Sequence, residues 1–142
     1  MDKFADILKD LIDGSGDTIR QISLKSGVSS VQLGRYLKGA LPTLQVAIKI
    51  ANYFSCSLDY LLGLTDINKE YSYKDYNHEV FIKRYLKILE DNNITHFKFA
   101  QTVGLSESSL RHWKYGEVPR IETLIMISHK FSISLDYLTG RV

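Results

Sequence analysis

A chain of 142 residues holds either one larger domain or two small ones. With 44% hydrophobic and 24% charged residues it can build a packed core, which argues against disorder along its whole length. Eighteen Lys and Arg against sixteen Asp and Glu leave a formal charge of +2, which excludes a histone-like polycation and falls short of the basic balance expected of a strong nucleic-acid binder.

The first predicted element runs through Phe4, Ile7, Leu8, Leu11 and Ile12, the spacing of an amphipathic helix. Its acids, in MDKFADILKDLID, are wrong for a signal peptide, and no later stretch approaches the roughly 18 apolar residues of a membrane span. Thr18 stands where a helix cap belongs, and Gly27 ends the second helix. Ser29 caps a third helix that runs to Gly39. Pro42 opens a fourth helix at its first position and is followed by Leu44, Ala47, Ile48, Ala51 and Phe54. Ser57 caps a short fifth helix closed by Gly63. The lone Cys56 cannot form an internal disulfide and is expected as a small buried residue in a reducing, cytoplasmic setting.

Residues 64–77 are polar, lack a clear period and read as a linker. Its Tyr71, Tyr73 and Tyr76 are expected on a nearby surface. Beyond it the chain repeats itself. FSISLDYLTG at 131–140 echoes FSCSLDYLLG at 54–63, and the same offset of 77 pairs Phe4 with Phe81, Thr18 with Thr95 and Gly27 with Gly104. It also pairs Ser29 with Ser106, Leu33 with Leu110, Gly39 with Gly116 and Pro42 with Pro119. The expected architecture is therefore all-α, with two tandem five-helix domains at 1–63 and 78–142 joined by 64–77. In the second copy Ser106 caps the third helix, Pro119 opens the fourth, and Ser134 and Gly140 bound the fifth.

In the first copy, Gly27-Val28-Ser29 separates two helices by about three residues, the connection of a helix-turn-helix. Val28, Leu33 and Tyr36 are expected to face inward, with Ser30, Val31, Gln32, Arg35 and Lys38 outward. The second copy places Leu105, Leu110 and Trp113 inward, with Glu107, Ser108, Ser109, His112 and Tyr115 outward. Pattern alone also allows an ordinary helical hairpin.

Each copy resembles the lambda-repressor-like, Cro-type (XRE family) DNA-binding domain. In the first, the resemblance is carried by Thr18, Ile22, Gly27-Val28-Ser29, Leu33, Arg35-Tyr36, Gly39, Pro42 and Ser57-Leu58-Asp59-Tyr60-Leu61-Leu62-Gly63. In the second it is carried by Thr95, Phe99-Ala100, Gly104-Leu105-Ser106, Leu110, Trp113, Gly116, Pro119 and Ser134-Leu135-Asp136-Tyr137-Leu138. The resemblance implies a third helix that enters the major groove. It implies base reading by Ser30, Val31, Gln32 and Arg35, with Lys38, Thr18 and Ser29 near phosphates. In the second copy it implies Glu107, Ser108, Ser109 and His112, flanked by Ser106, Arg111 and Lys114. Glu107 is repelled by phosphates unless it accepts from cytosine, so this copy is the weaker reader.

The chain departs from the family pattern in several places. The phosphate-gripping glutamine at the start of helix two is Ile19 in one copy and His96 in the other. The late helix-one and helix-three ion pair of many relatives becomes Ile12 with Leu37, then Leu89 with Lys114. Residues 1–66 carry seven bases and seven acids, whereas 77–142 carry nine bases and seven acids. The first copy must therefore depend on where its charges sit: Arg20, Lys25, Arg35 and Lys38 cluster around the turn.

The expected function is a sequence-specific double-stranded DNA-binding regulator, implied by the resemblance to be a bacterial or phage repressor. The alternative is an interaction module in which one copy, the second before the first, serves dimerisation or partner docking. An enzyme is not expected, because no nucleophile–base pair, phosphate-binding glycine loop or paired carboxylates occur. No cofactor is expected, and His78, His96, His112 and His129 lack metal-ligand spacing. With the sequence stopping at Val142, no small-molecule effector domain is expected, and a homodimer through the region after the first fifth helix is a further expectation.

Overall fold

The computed structural model describes residues 2–69 and 72–142, and every element within them is helical or a turn. The all-α expectation holds. Tyr71 lies outside the described residues. The chain divides into two compact units, Met1–Tyr73 and Lys74–Val142.

In the first unit the helices are α1 (Asp2–Ser15), α2 (Ile19–Ser26), α3 (Ser30–Leu37), α4 (Leu44–Tyr53) and α5 (Leu58–Leu61). Phe4 and Leu8 of α1, Ile22 of α2, Leu33 of α3 and Leu58 and Leu61 of α5 are fully buried. α3 packs on α1 and α2, α4 on α2 and α5, and α5 returns to α1. Each such aliphatic or aromatic side chain contributes about 1.5–3 kcal/mol on leaving water, so α3 is anchored by its inner face alone. Cys56 is buried, as its position before α5 suggested.

The second unit contains α6 (His78–Asp91), α7 (His96–Val103), α8 (Ser109–Lys114), α9 (Ile121–Phe131) and α10 (Leu135–Leu138). Its core is more aromatic. Trp113 meets Phe81 at 5.3 Å and Tyr85 at 5.4 Å between ring centroids, edge to face in both pairs, and Phe99 stacks toward Phe131 at 5.4 Å. Arg141 is fully buried, with its Nη1 2.6 Å from Asp136 Oδ1 and its Nε donating to the Lys74 carbonyl. The Lys74 N–H donates in turn to the Arg141 carbonyl at 2.8 Å, and Asn77 N–H donates to the Thr139 carbonyl. Lys74–Asn77, read from sequence as linker, is therefore bonded into the second unit, with Asn77 capping α6 through its Oδ1. Tyr73 donates its hydroxyl to the Lys69 carbonyl, and Tyr76 bonds the His78 ring.

The expected caps form at Thr18, Ser29, Ser57, Thr95 and Ser134. Two expectations need correction. Pro42 and Pro119 do not occupy the first helical position; each precedes the cap residue, Thr43 or Arg120. The Thr43 hydroxyl satisfies the Val46 N–H, so the cap falls one residue later and Pro42 is buried instead. Ser106 does not cap α8, which begins at Ser109 after an uncapped Ser108. The Ser106 hydroxyl accepts from the Ser108 N–H two residues on, a local turn that competes with helix formation.

The cap at Ser29 is reciprocal: its Oγ accepts from Gln32 N–H, and Gln32 Oε1 accepts from Ser29 N–H, both at 3.1 Å. Ser29→Ala is expected to destabilise the start of α3 by about 1 kcal/mol. Amide exchange along α3 should accelerate accordingly, and exchange unchanged from the parent would show that the cap contributes nothing.

Candidate nucleic-acid interface

The α2–α3 turn places the candidate residues. Gly27 takes φ +80°, a left-handed conformation that costs a side-chain-bearing residue 1–2 kcal/mol in order of magnitude, and its N–H closes α2 on the Ser23 carbonyl. Val28 turns into the core, with its N–H held by Ser26 Oγ. Ser29 then starts α3 through its capping box. The start of α2 is framed the same way: Thr18 Oγ1 accepts from Gln21 N–H and Gln21 Oε1 accepts from Thr18 N–H. Two capping boxes and one left-handed glycine therefore fix the beginning of α2, its end and the entry into α3.

Leu33 and Tyr36 face inward from α3, and Tyr36 stacks obliquely toward Phe4 at 6.0 Å. Burial raises the Tyr36 phenol above its ordinary value despite the neighbouring Arg35 guanidinium, so it stays neutral. With those residues turned in, Ser30, Val31, Arg35 and Lys38 are exposed and Gln32, engaged in the cap, is half-buried. Val31 is 74% exposed. Arg20, the second residue of α2, is also exposed. Lys25 is less available, since its Nζ lies 3.9 Å from Asp17, whose carboxylate also accepts the Tyr53 hydroxyl. Acids on α1 and bases around the turn thus occupy separate places in a unit whose summed charge is near zero.

The corresponding region of the second unit is built differently. Gly104 takes φ +75° and closes α7 on the Ala100 carbonyl, and Thr95 caps α7 through Lys98 N–H. The connection then runs through Leu105–Ser108 before α8 begins. Glu107, Arg111, His112 and Lys114 are exposed, and Ser108 is half-buried. Ser109, expected outward, is buried, because its Oγ lies 3.2 Å from Nε2 of His96. Leu105 and Leu110, expected inward, are only half-buried, whereas Trp113 is buried as expected. His112 Nδ1 sits 3.4 Å from the Glu117 carboxylate, and Phe97 and Tyr115 are 57% and 85% exposed. At the repeat offset, Phe97 and Tyr115 stand where the first unit has Arg20 and Lys38.

Sequence reasoning missed two features of this unit. In the sequence His96 is a departure from a family pattern and a histidine without metal-ligand spacing, yet its ring bridges Tyr85 and Ser109. Arg141 carried no signal, because a penultimate arginine in a polar sequence gives no hint of burial. Among the described residues no group of three His, Cys, Asp or Glu is arranged to hold a metal ion, and no helix is long and apolar enough to cross a membrane.

Compared with known families, residues 8–61 match the model described as Helix-turn-helix. The match lies wholly within the first unit, from the middle of α1 to the end of α5. Neither a curated protein nor a solved structure matches the chain. The capped α2, the tight glycine turn and the exposed face of α3 fall inside the matched segment, and residues 8–61 are similar to that helix-turn-helix family.

Proposed function

We propose that the chain is a cytoplasmic, sequence-specific regulator of transcription that binds double-stranded DNA as a repressor. The third helix of the first unit, α3, reads the major groove. The observation that carries this reading is the exposed row Ser30, Val31, Arg35 and Lys38 on a helix whose entry is held by the Ser29–Gln32 capping box. Arg35 suits guanine O6 and N7, Val31 suits a thymine methyl, and Lys38 suits a phosphate. In this reading the N-terminal N–H groups of α2 and α4 supply further phosphate contacts.

The second unit is the second half of a tandem pair. Its five helices follow the order of the first, and the offset of 77 aligns the caps Thr18 with Thr95 and Ser57 with Ser134, and Gly27, Gly39 and Gly63 with Gly104, Gly116 and Gly140. Domains at 1–63 and 78–142 then contact successive half-sites, and covalent linkage raises the effective concentration of whichever domain binds second. In this unit the contacts fall to Ser106, Glu107, Ser108, Arg111, His112 and Lys114, while Ser109 acts from beneath α8.

A specific set of observations favours a second reading for this half, as a surface for a protein partner or a second copy. Glu107 repels phosphate, two aromatics stand in place of Arg20 and Lys38, and α8 is two residues shorter than α3.

Binding should be measured by gel shift against a sequence recovered by selection from genomic fragments, in rising salt. Arg35→Ala is expected to weaken binding at least about tenfold and to relax preference at one base position, the effect of losing one bidentate base contact. Affinity indifferent to that substitution, or no selected sequence at all, overturns the DNA-reading proposal.

The double variant Arg111→Ala, Lys114→Ala separates the two readings of the second unit. A shortened footprint and a flatter salt dependence are expected if α8 lies on DNA. An unchanged footprint assigns that unit to a partner instead.

A homodimer is the expected solution state. Sedimentation at micromolar concentration should show a species of twice 16.3 kDa, and a single 16.3 kDa species rejects it.

A further inference from the structure

The second unit contains a histidine whose two ring nitrogens are both engaged where α6, α7 and α8 meet. His96 is the first residue of α7. Its Nδ1 lies 2.7 Å from the Tyr85 hydroxyl of α6, and its Nε2 lies 3.2 Å from Ser109 Oγ at the start of α8. The ring meets Tyr85 and Trp113 nearly edge to face, at 5.8 and 5.9 Å between centroids. At the same place the first unit has Ile19, and there α3 opens with a capping box that needs no such support.

The neighbours settle the tautomer. Tyr85 is fully buried, and burial pushes its phenol far above the ordinary value, so it is a neutral hydroxyl that donates to Nδ1. The proton of a neutral His96 ring then sits on Nε2, facing Ser109 Oγ, and the ring also has a hydrogen bond with the backbone of Glu107. One ring therefore fastens the segment 107–109, which has no side-chain cap of its own, to the aromatic core.

We propose that neutral His96 is a positioning residue for α8, and that its protonation breaks the tie of the ring to Tyr85, frees the Glu107–Ser109 turn from the aromatic core and weakens the grip of the second unit on DNA. The inference rests on the reading that this unit contacts DNA. A second proton must go on Nδ1, where it meets the Tyr85 hydroxyl donor head on, so Tyr85 has to turn its own proton away inside the core. The new charge is also poorly solvated among rings.

The surrounding groups decide the direction of the effect. Burial lowers the tendency of His96 to protonate, the Lys114 ammonium of α8 lowers it further, and the hydrogen bond with the Glu107 backbone opposes both. Tyr85 of α6 is neutral. A histidine held below its unfolded value near 6.5 contributes stability that is complete above that value, and the contribution is lost as pH falls through it toward the lower folded value. The device therefore works in mild acid.

Two other histidines touch the same helix and must be separated from His96. His78 Nε2 bonds the Trp113 carbonyl near the opposite end of α8, and His112 lies exposed beside Glu117. Protonated His112 adds positive charge toward phosphate and should strengthen DNA binding, opposite in sign to the His96 effect.

The test is a pH titration of the full chain from 7.5 to 5.5 by two-dimensional NMR, observing the imidazoles and the backbone amides. The amides of Glu107, Ser108 and Ser109 should move with the His96 ring at one midpoint below about 6.5. That step should vanish in His96→Gln, whose amide does not titrate, and persist in His78→Gln and His112→Gln.

In a His112→Gln background, affinity for a duplex carrying both half-sites should fall as pH drops. The fall should be on the order of tenfold for each unit of pKa separation between the bound and released states, and His96→Gln should flatten it. Amides at 107–109 that ignore the His96 titration overturn the positioning role whether or not DNA is bound. A coupled amide step with pH-independent affinity overturns the link to binding while leaving the DNA reading intact. Absence of DNA binding at every pH overturns both the DNA reading and that link, while the amide step still decides the positioning role by itself.

Discussion

The arrangement of the first unit depends on how the chain passes from α2 to α3 in three residues. Gly27 in the left-handed conformation ends one helix, Val28 drops into the core as a pivot, and the hydroxyl of Ser29 takes up an N–H that the new helix leaves without an intrahelical partner. None of the three tolerates exchange easily. A side chain at 27 strains the backbone, a polar residue at 28 buries an unmatched group, and a residue without an oxygen at 29 leaves donors unmet. Because these constraints act in sequence, the direction of α3 is set before any contact with a ligand. The exposed face of α3 follows from that direction and from the inward turn of Leu33 and Tyr36.

The second unit solves the same problem with different chemistry. Its glycine adopts the same conformation, but the reciprocal cap is lost because Ser109 replaces the glutamine that would complete it. The helix starts later, and the start is held from below through His96 and Tyr85 rather than from its own backbone. A cap built from Ser and Gln is indifferent to pH, whereas one built through a half-buried imidazole is not. The aromatic cluster of Phe81, Tyr85, Trp113 and His96 supplies the packing that makes such a support rigid.

Net charge is a poor guide to this molecule. The first unit has equal numbers of acids and bases, yet its α1 acids and its turn-region bases lie on different elements. A field that cancels at long range can still be positive close to α3, within a Debye length of roughly 8–10 Å. Low overall charge and a locally basic face are therefore compatible.

Much of the fold was legible in the amino-acid sequence: the all-α class, the five caps that formed, the left-handed glycines and the inner face of α3. These features are local, since each depends on residues within four positions of one another, and hydroxyl, glycine and apolar spacing report them directly. Only the tertiary structure decided the rest. Pro42 and Pro119 sit before the caps because the core takes up their rings. Ser109 points inward because a histidine 13 residues earlier reaches it. Lys74–Asn77 joins the second unit because Arg141, 67 residues beyond Lys74, is buried against Asp136 and the Lys74 carbonyl. Each of these depends on groups far apart along the chain, whose meeting carries no periodic or neighbouring signal, so it becomes visible only once the helices have packed.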